Sequence, residues 1–280
     1  MKIINFKKVT VISSVLAVIM ICFAFMTPKT ISVKGSDTLV ILSQKWAEVY
    51  MKSHPNINIQ VTGGGSGVGI SALINGTTDI CNASRRMKES EIEKLKEKYK
   101  TPGVEIPCAK DGITIYVNKT NKINELTIDQ LSKIYLGKVT NWKDVGGANV
   151  EIRLYGRENS SGTYEYFKED VVKGDYAANC QTLPGTAAVV NAVIKDVNGI
   201  GYGGAAYAKN IKIIKVKKDS KSIAYAANAK TIKDGTYPIS RYLYMYVINR
   251  PTGDIKNYID WILGAEGQKY VTEIGYFPVK

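Results

Sequence analysis

From residue 31 onward the chain alternates short β-branched or aromatic runs with longer stretches of helical period. This alternation limits the possible fold more than any other feature. The runs are ISVKG, INIQVTG, TTDICNA, ITIYVN, EIRLYG, GIGYGG, IKIIKV and YLYMYVIN. Between them lie stretches such as LVILSQKWAEVYMK, where Leu39, Leu42, Trp46 and Tyr50 share a face. Such a pattern reads as an α/β protein. The last segment, DIKNYIDWILGAEGQKYVTEIG, puts Ile255, Tyr258, Ile259 and Ile262 on one side and is expected as one long closing helix. With 280 residues and 45% hydrophobic content, the chain can bury one large core or build two lobes. It has no internal repeat and no low-complexity linker, so a division into lobes has to come from the chain crossing between them.

The N-terminus reads as a targeting segment. Lys2, Lys7 and Lys8 precede VTVISSVLAVIMICFAFM (Val9 to Met26), a run without a charge. An exported, extracytoplasmic protein is expected, with residues 1–30 either a cleaved signal peptide or a retained N-terminal membrane anchor. Cys22-Phe23-Ala24 offers a small-x-small cleavage site, and the run is nearly long enough to span a bilayer. Lipid attachment at Cys22 ranks below these, because Ile19-Met20-Ile21 lacks the small residues that should precede it. Cys81, Cys108 and Cys180 fit neither zinc-site spacing nor a disulfide framework. They are expected as buried thiols, with a Cys81 to Cys108 bridge as the lesser alternative.

Four junctions between strand and helix share a composition that cannot build a core. KGSDTL (Lys34 to Leu39), TGGGSGVGI (Thr62 to Ile70), NASRRM (Asn82 to Met87) and GRENSSGT (Gly156 to Thr163) each end a strand with glycine, serine or threonine and lead towards a helix. One such loop could be simple helix capping. Four of them suit a small anion better, because loops at the carboxyl ends of strands in an open α/β sheet face one crevice. Helix N-termini offer free N–H groups there, glycine lets the backbone approach, hydroxyls donate, and Arg157 supplies a planar charged fork. The formal net charge of +13 also favours anionic partners.

Other chemistries find little support. The basic residues are scattered rather than gathered in a stripe, which argues against nucleic acid. GVGISA (Gly67 to Ala72) satisfies a dinucleotide fingerprint, but no acidic residue ends the next strand to hold a ribose. No Walker A loop occurs. The one histidine, His54 in KSHPN, reads as a surface turn residue, which makes a Ser-His-Asp hydrolase improbable. No carboxylate pair suggests glycosidase chemistry. The expectation is binding without catalysis, hence no catalytic residue, no cofactor and no metal.

Taken together, GSDT, GGGSG, LSKIYLGKVTNWKDVGG (Leu131 to Gly147), RENSSGT and NGIGYGG resemble the phosphate-binding proteins of Pst-type ABC transporters, from about Ile31 to Lys280. The resemblance implies a two-lobed, periplasmic-binding-protein-like α/β fold with crossing hinge strands. It places lobe one at residues 31–116 plus 243–280 and lobe two at 117–242, with crossings in ITIYVN and RYLYMYVIN. It also implies inorganic phosphate held in the interlobe cleft and delivered to ABC permease subunits. Matched position by position, it makes Thr38, the backbone of Leu39, Ser66, Arg157, Ser161, Gly162 and Thr163 phosphate contacts, with Ser36, Ser84, Arg85 and Asp111 as weaker candidates.

One position departs from that pattern. Many members of the family carry an aspartate directly after the serine of NASRR, where it accepts the proton of hydrogen phosphate and repels sulfate; this chain has Arg85. Another carboxylate is then expected in that role, either Asp111 in KDGITIY or Asp37 in GSDT. The rival readings are a binder of another tetrahedral oxyanion (sulfate, molybdate or tungstate) and a secreted phosphoryl hydrolase reusing the same cradle.

Overall fold

Valine, isoleucine and tyrosine at alternating positions form strands where a face can be buried, and the first three such runs pair in parallel. β1 (Lys29–Gly35) lies between β2 (Ile57–Thr62) and β3 (Ile80–Ala83), with Val33 opposite Val61 on one side and Ile80 on the other. The computed structural model describes residues 28–279, so the expected leader up to residue 27, Cys22 included, lies outside the described residues. Helix α1 (Asp37–Ser53) joins β1 to β2, α2 (Ser66–Asn75) joins β2 to β3, and α3 (Glu89–Tyr99) follows β3. Leu39, Leu42, Trp46 and Tyr50 of α1 are all buried, as their spacing predicts. Each such side chain contributes about 1.5–3 kcal/mol when fully buried.

Strand β4 (Val104–Val117) is longer than its sequence suggests. Only its second half, ITIYVN, carries a clean strand pattern, because Pro107 and Gly112 interrupt the first. Pro107 is accommodated where the pairing register slips, between Leu243 and Tyr244 of β10 (Ser240–Val247). The first half of β4 pairs antiparallel with β10, ending with Gly112 opposite Ser240. From Ile113 onward its partners are β8 (Gly199–Gly204) and β9 (Lys212–Lys217).

The remaining elements are β5 (Glu125–Thr127), α4 (Ile128–Tyr135), β6 (Arg153–Arg157), α5 (Gly162–Phe167), β7 (Gln181–Leu183), α6 (Gly185–Lys195) and α7 (Ala229–Lys233). A π-helical turn, Lys168–Val172, continues α5. The sheet runs β2-β1-β3-β10-β4-β8-β6-β7, with β9 beside β4 and carrying β5. Its two halves bury separate cores. One holds Ile31, Trp46, Leu243 and Tyr276; the other holds Ile113, Trp142, Tyr202 and Ile239. The result is the two-lobed α/β fold expected from the sequence.

The closing segment differs from expectation. It forms two helices, α8 (Gly253–Leu263) and α9 (Ala265–Ile274), parted at Gly264, whose backbone is extended at ψ 175°. Two glycines within four residues weaken a continuous helix. Gly267 is also pressed so closely on the preceding turn that a Cβ there would lie 2.4 Å from the Ile262 carbonyl oxygen. Trp46 Nε1 donates to the Gly267 carbonyl at 2.8 Å, docking α9 on α1.

Cys81 and Cys108 are both free, which rules out the bridge held as the lesser alternative, and burial pushes both thiols far up. Cys180 is also free. His54 follows α1 and is exposed, stacked on Tyr50 with ring centres 3.9 Å apart. Among the described residues no helix is long and apolar enough to cross a membrane.

Candidate functional site

The carboxyl ends of β1, β2, β3 and β6 carry the four loops singled out above, and their hydroxyl groups meet. Ser36, Thr38, Ser66, Ser84, Ser161 and Thr163 are all buried. Thr38 Oγ1 lies 2.8 Å from Thr163 Oγ1, although α1 packs on one core and α5 on the other. Ser36 Oγ donates to Ser84 Oγ at 2.9 Å, and Ser84 Oγ lies 3.2 Å from Ser66 Oγ. Ser66 Oγ also accepts the Ser84 N–H at 2.9 Å.

Capping accounts for only one of these residues. Ser161 Oγ accepts the N–H groups of Thr163 and Tyr164 at 3.2 and 3.3 Å, which leaves its own proton free to be donated. Ser36 makes no side-chain cap at α1, and α2 is preceded by Gly65 rather than by a capping hydroxyl. The NASRRM loop also differs from the other three, since its helix begins only at Glu89. The Leu39 N–H donates to the Ser36 carbonyl at 3.0 Å while its side chain sits in the first core.

Glycine is needed where the loops touch. A Cβ on Gly162 would lie 2.4 Å from Ser66 Oγ and 2.8 Å from Ser84 Oγ. Gly65 has φ 93°, and a Cβ there would lie 2.5 Å from the Ser160 carbonyl oxygen, which accepts the Gly67 N–H at 2.9 Å. Only bare backbone lets the β2 and β6 loops come this close.

Arg157 is only 1% exposed and every nitrogen of its guanidinium is engaged, with one Nη1 proton left over. Nη1 donates to Thr186 Oγ1 at 2.7 Å, and Nη2 donates to Asp37 Oδ2 at 2.9 Å and Glu158 Oε1 at 2.7 Å. Nε donates to Glu158 Oε2 at 3.0 Å. Burial would raise the Glu158 pKa, but the hydrogen bonds and charge of Arg157 hold it below the ordinary glutamate value. Asp37 is equally committed, its Oδ1 accepting the Gly64 N–H at 3.0 Å. The site is therefore a cluster of neutral donors beside a guanidinium whose charge is more than offset by two carboxylates, which leaves the hydroxyl and N–H donors to meet an anion. Such a cluster suits an anion that is itself stripped of water.

Asp111 is fully buried at the end of the first half of β4. Its Oδ2 accepts from Arg241 Nη2 at 3.1 Å, while Oδ1 has no hydrogen-bond partner. Burial pushes its carboxyl up, against the pull of Arg241 and of the Ala205 N–H, which lies near without completing a hydrogen bond to Oδ1. Sequence reasoning missed Arg241. Its Nη2 also donates to Thr163 Oγ1 at 2.8 Å, and its Nη1 donates to the carbonyls of Ser84 at 2.8 Å and Gly162 at 3.3 Å. The signal was present, since a charged residue opening the apolar run RYLYMYVIN must find buried partners. Arg85 takes a different direction, pairing with Glu91 and Glu165 rather than with the hydroxyls. Among the described residues no group of three or more His, Cys, Asp or Glu side chains could hold a metal ion.

The chain is similar to known proteins in sequence and in fold. Residues 26–266 match the family described as the PBP superfamily domain. The phosphate-binding protein PstS of Pseudomonas aeruginosa is 36% identical over 263 residues, covering 88% of this chain and 81% of the relative. PstS of Staphylococcus haemolyticus is 37% identical over 257 residues, covering 87% and 79%. Among solved structures, an ABC transporter substrate-binding protein with bound phosphate from Clostridium perfringens superposes with a TM-score of 0.82 at 29% identity, over 90% of this chain and 100% of that one. An ABC-type phosphate transport receptor from Vibrio cholerae gives 0.71 at 28% identity, over 88% and 99%. By the extent of the family match and the identity to these relatives, the chain belongs to the PBP superfamily and, within it, to the phosphate-binding proteins of the PstS type.

Proposed function

We propose that the protein captures inorganic phosphate between its lobes, outside the cytoplasm, and delivers it to the permease of an ABC transporter. The convergence of buried hydroxyls from four loops beside Arg157 carries this reading. Thr38, Ser66, Ser161, Thr163 and the backbone of Leu39 and Gly162 are the donors, with Ser36 and Ser84 behind them. Hydroxyls that now bond one another can turn their protons to phosphate oxygens, so none of these hydroxyls is stranded in either state. The relatives are named as binding proteins and transport receptors, and the protein is no enzyme.

The same reading divides the chain at residues 31–116 plus 243–280 and 117–242. The change of partners along β4 after Gly112, and the separation of Leu243 from Ile239 into different cores, support a boundary in these neighbourhoods. Phosphate is told from sulfate by a buried acceptor for its proton, and Asp111 fills that role better than Asp37. Both Asp37 oxygens are occupied, whereas Asp111 Oδ1 has no partner.

Calorimetric melting tests ligand and selectivity together, once endogenous phosphate has been removed from the purified chain. A ligand at one hundred times its Kd stabilises by about 2.7 kcal/mol, which for a chain of this size raises Tm by roughly 5–10 °C. Phosphate is expected to give such a rise and sulfate much less. Equal shifts from the two anions would point to a general oxyanion binder, and no shift from either would remove the four-loop site.

A further inference from the structure

Outside the hydroxyl cluster, a second set of charges joins the lobes. Glu165 lies on α5, the helix whose first turn supplies Gly162 and Thr163. Its Oε2 is 2.6 Å from Arg85 Nε and its Oε1 is 3.1 Å from Lys88 Nζ, both in the loop between β3 and α3. The Arg85 contact does not meet hydrogen-bond geometry, so it acts chiefly through charge. Arg85 is held in place independently, because Nη1 and Nη2 donate to the two oxygens of Glu91, each at 2.8 Å. The Arg85 and Glu165 side chains are only 9% and 16% exposed.

We infer that Glu165 is a closure latch, a positioning residue that sets how long phosphate is retained by tying α5 to the Arg85–Lys88 loop without touching the ligand. This rests on phosphate being the ligand and on the lobes parting to release it. The wiring fits a contact that forms and breaks. When the lobes part, Arg85 keeps its pair with Glu91 on the same lobe, and Glu165 turns to water, so opening strands no buried charge. In the closed state, Glu165 draws down the same short helix that presents Thr163 to the anion, coupling the tie to the ligand through one rigid element.

The test follows phosphate release by stopped flow in the wild type, Glu165→Gln, Lys88→Gln and the double variant. Glu165→Gln is expected to raise the dissociation rate roughly tenfold with little change in association, as when one partner of a largely buried ion pair is removed. Lys88→Gln should do less, and the double variant no more than Glu165→Gln, because Lys88 acts through Glu165. Melting separates this from a merely structural role: Glu165→Gln should lower Tm with phosphate bound and leave the phosphate-free Tm unchanged. An unchanged release rate in a wild-type chain that does bind phosphate overturns the latch alone. An equal fall in both melting temperatures also overturns it. A wild-type chain that binds no phosphate removes the latch together with the ligand reading.

Discussion

Arg157 and Arg85 have the same wiring in two places. Each is buried, each meets a carboxylate of its own lobe, and each meets another from the opposite lobe: Glu158 and Asp37 for Arg157, Glu91 and Glu165 for Arg85. Their surroundings differ. Arg157 turns its remaining edge to Thr186 and has the hydroxyl loops beside it. Arg85 stands at the edge of a cavity of about 400 Å³ that also takes in Lys88, Glu169, Tyr242 and Tyr244. Charge balance alone therefore does not mark a ligand site. What distinguishes the two regions is the kind of neighbour: serine and threonine hydroxyls from several loops gather by Arg157, whereas the cavity by Arg85 is lined mainly by charged side chains and tyrosines.

The largest expected effect tests the first half of that contrast. Arg157→Lys keeps the charge but loses the fork that holds Asp37, Glu158 and Thr186 at once, and phosphate affinity measured by titration should fall about a hundredfold, or roughly 2.7 kcal/mol. The same change at Arg85 should cost far less, because no donor set there depends on its shape. Equal losses at the two positions would erase the distinction.

A smaller effect is expected at Asp111, a fully buried carboxylate near the cluster with an oxygen to spare. Asp111→Asn should narrow the ratio of phosphate to sulfate affinity about tenfold in competition titrations, the size of one charged hydrogen bond. An unchanged ratio would place selectivity elsewhere in the hydroxyl cluster.

The smallest effect concerns stability in acid. Burial would raise the Glu91 pKa, but the hydrogen bond from Arg85, the Lys88 N–H and the charge of Arg85 bring it below the ordinary value of 4.5. A carboxylate depressed by folding adds stability above its unfolded pKa and loses it as pH falls through the folded value. Glu91→Gln should therefore lower stability at neutral pH by about 1 kcal/mol or less after solvent screening, and flatten the decline below pH 4.5. Loss of stability at neutral pH with an unaltered acid slope would assign Glu91 a role in capping α3 alone.

The sequence shows the donors better than it shows their charge partners. Ser36, Ser66, Ser84 and Ser161 stand out because serine beside glycine at a strand end has few structural uses, and Leu39, Trp46 and Tyr50 stand out by their period. Arg241 and Asp111 depend on partners 78 to 157 residues away, set by the pairing of β10 with β4 and by how the loops face each other, and Arg85 joins a local carboxylate, Glu91, to a distant one, Glu165. No local pattern encodes such distances. The first half of β4 was hidden for a related reason, since Pro107 breaks its own strand signal and is tolerated only because β10 shifts register opposite it. The break between α8 and α9 was written at Gly264 and Gly267, but apolar spacing on both sides masked it.

Strand β10 lies between β3 and β4 in the sheet although it is the last strand in the chain. During synthesis the inner edges of β3 and β4 therefore remain bare until residues 240–247 have been made, and the first core stays incomplete until Val271 and Tyr276 join it. The second core, drawn from one continuous stretch between Ile113 and Ile239, has no such wait. A nascent chain arranged this way cannot complete its first lobe from the N-terminal end as it emerges. Late closure of a long-range pairing slows folding, so the leading half of the chain stays open to its surroundings while the second lobe is already free to fold.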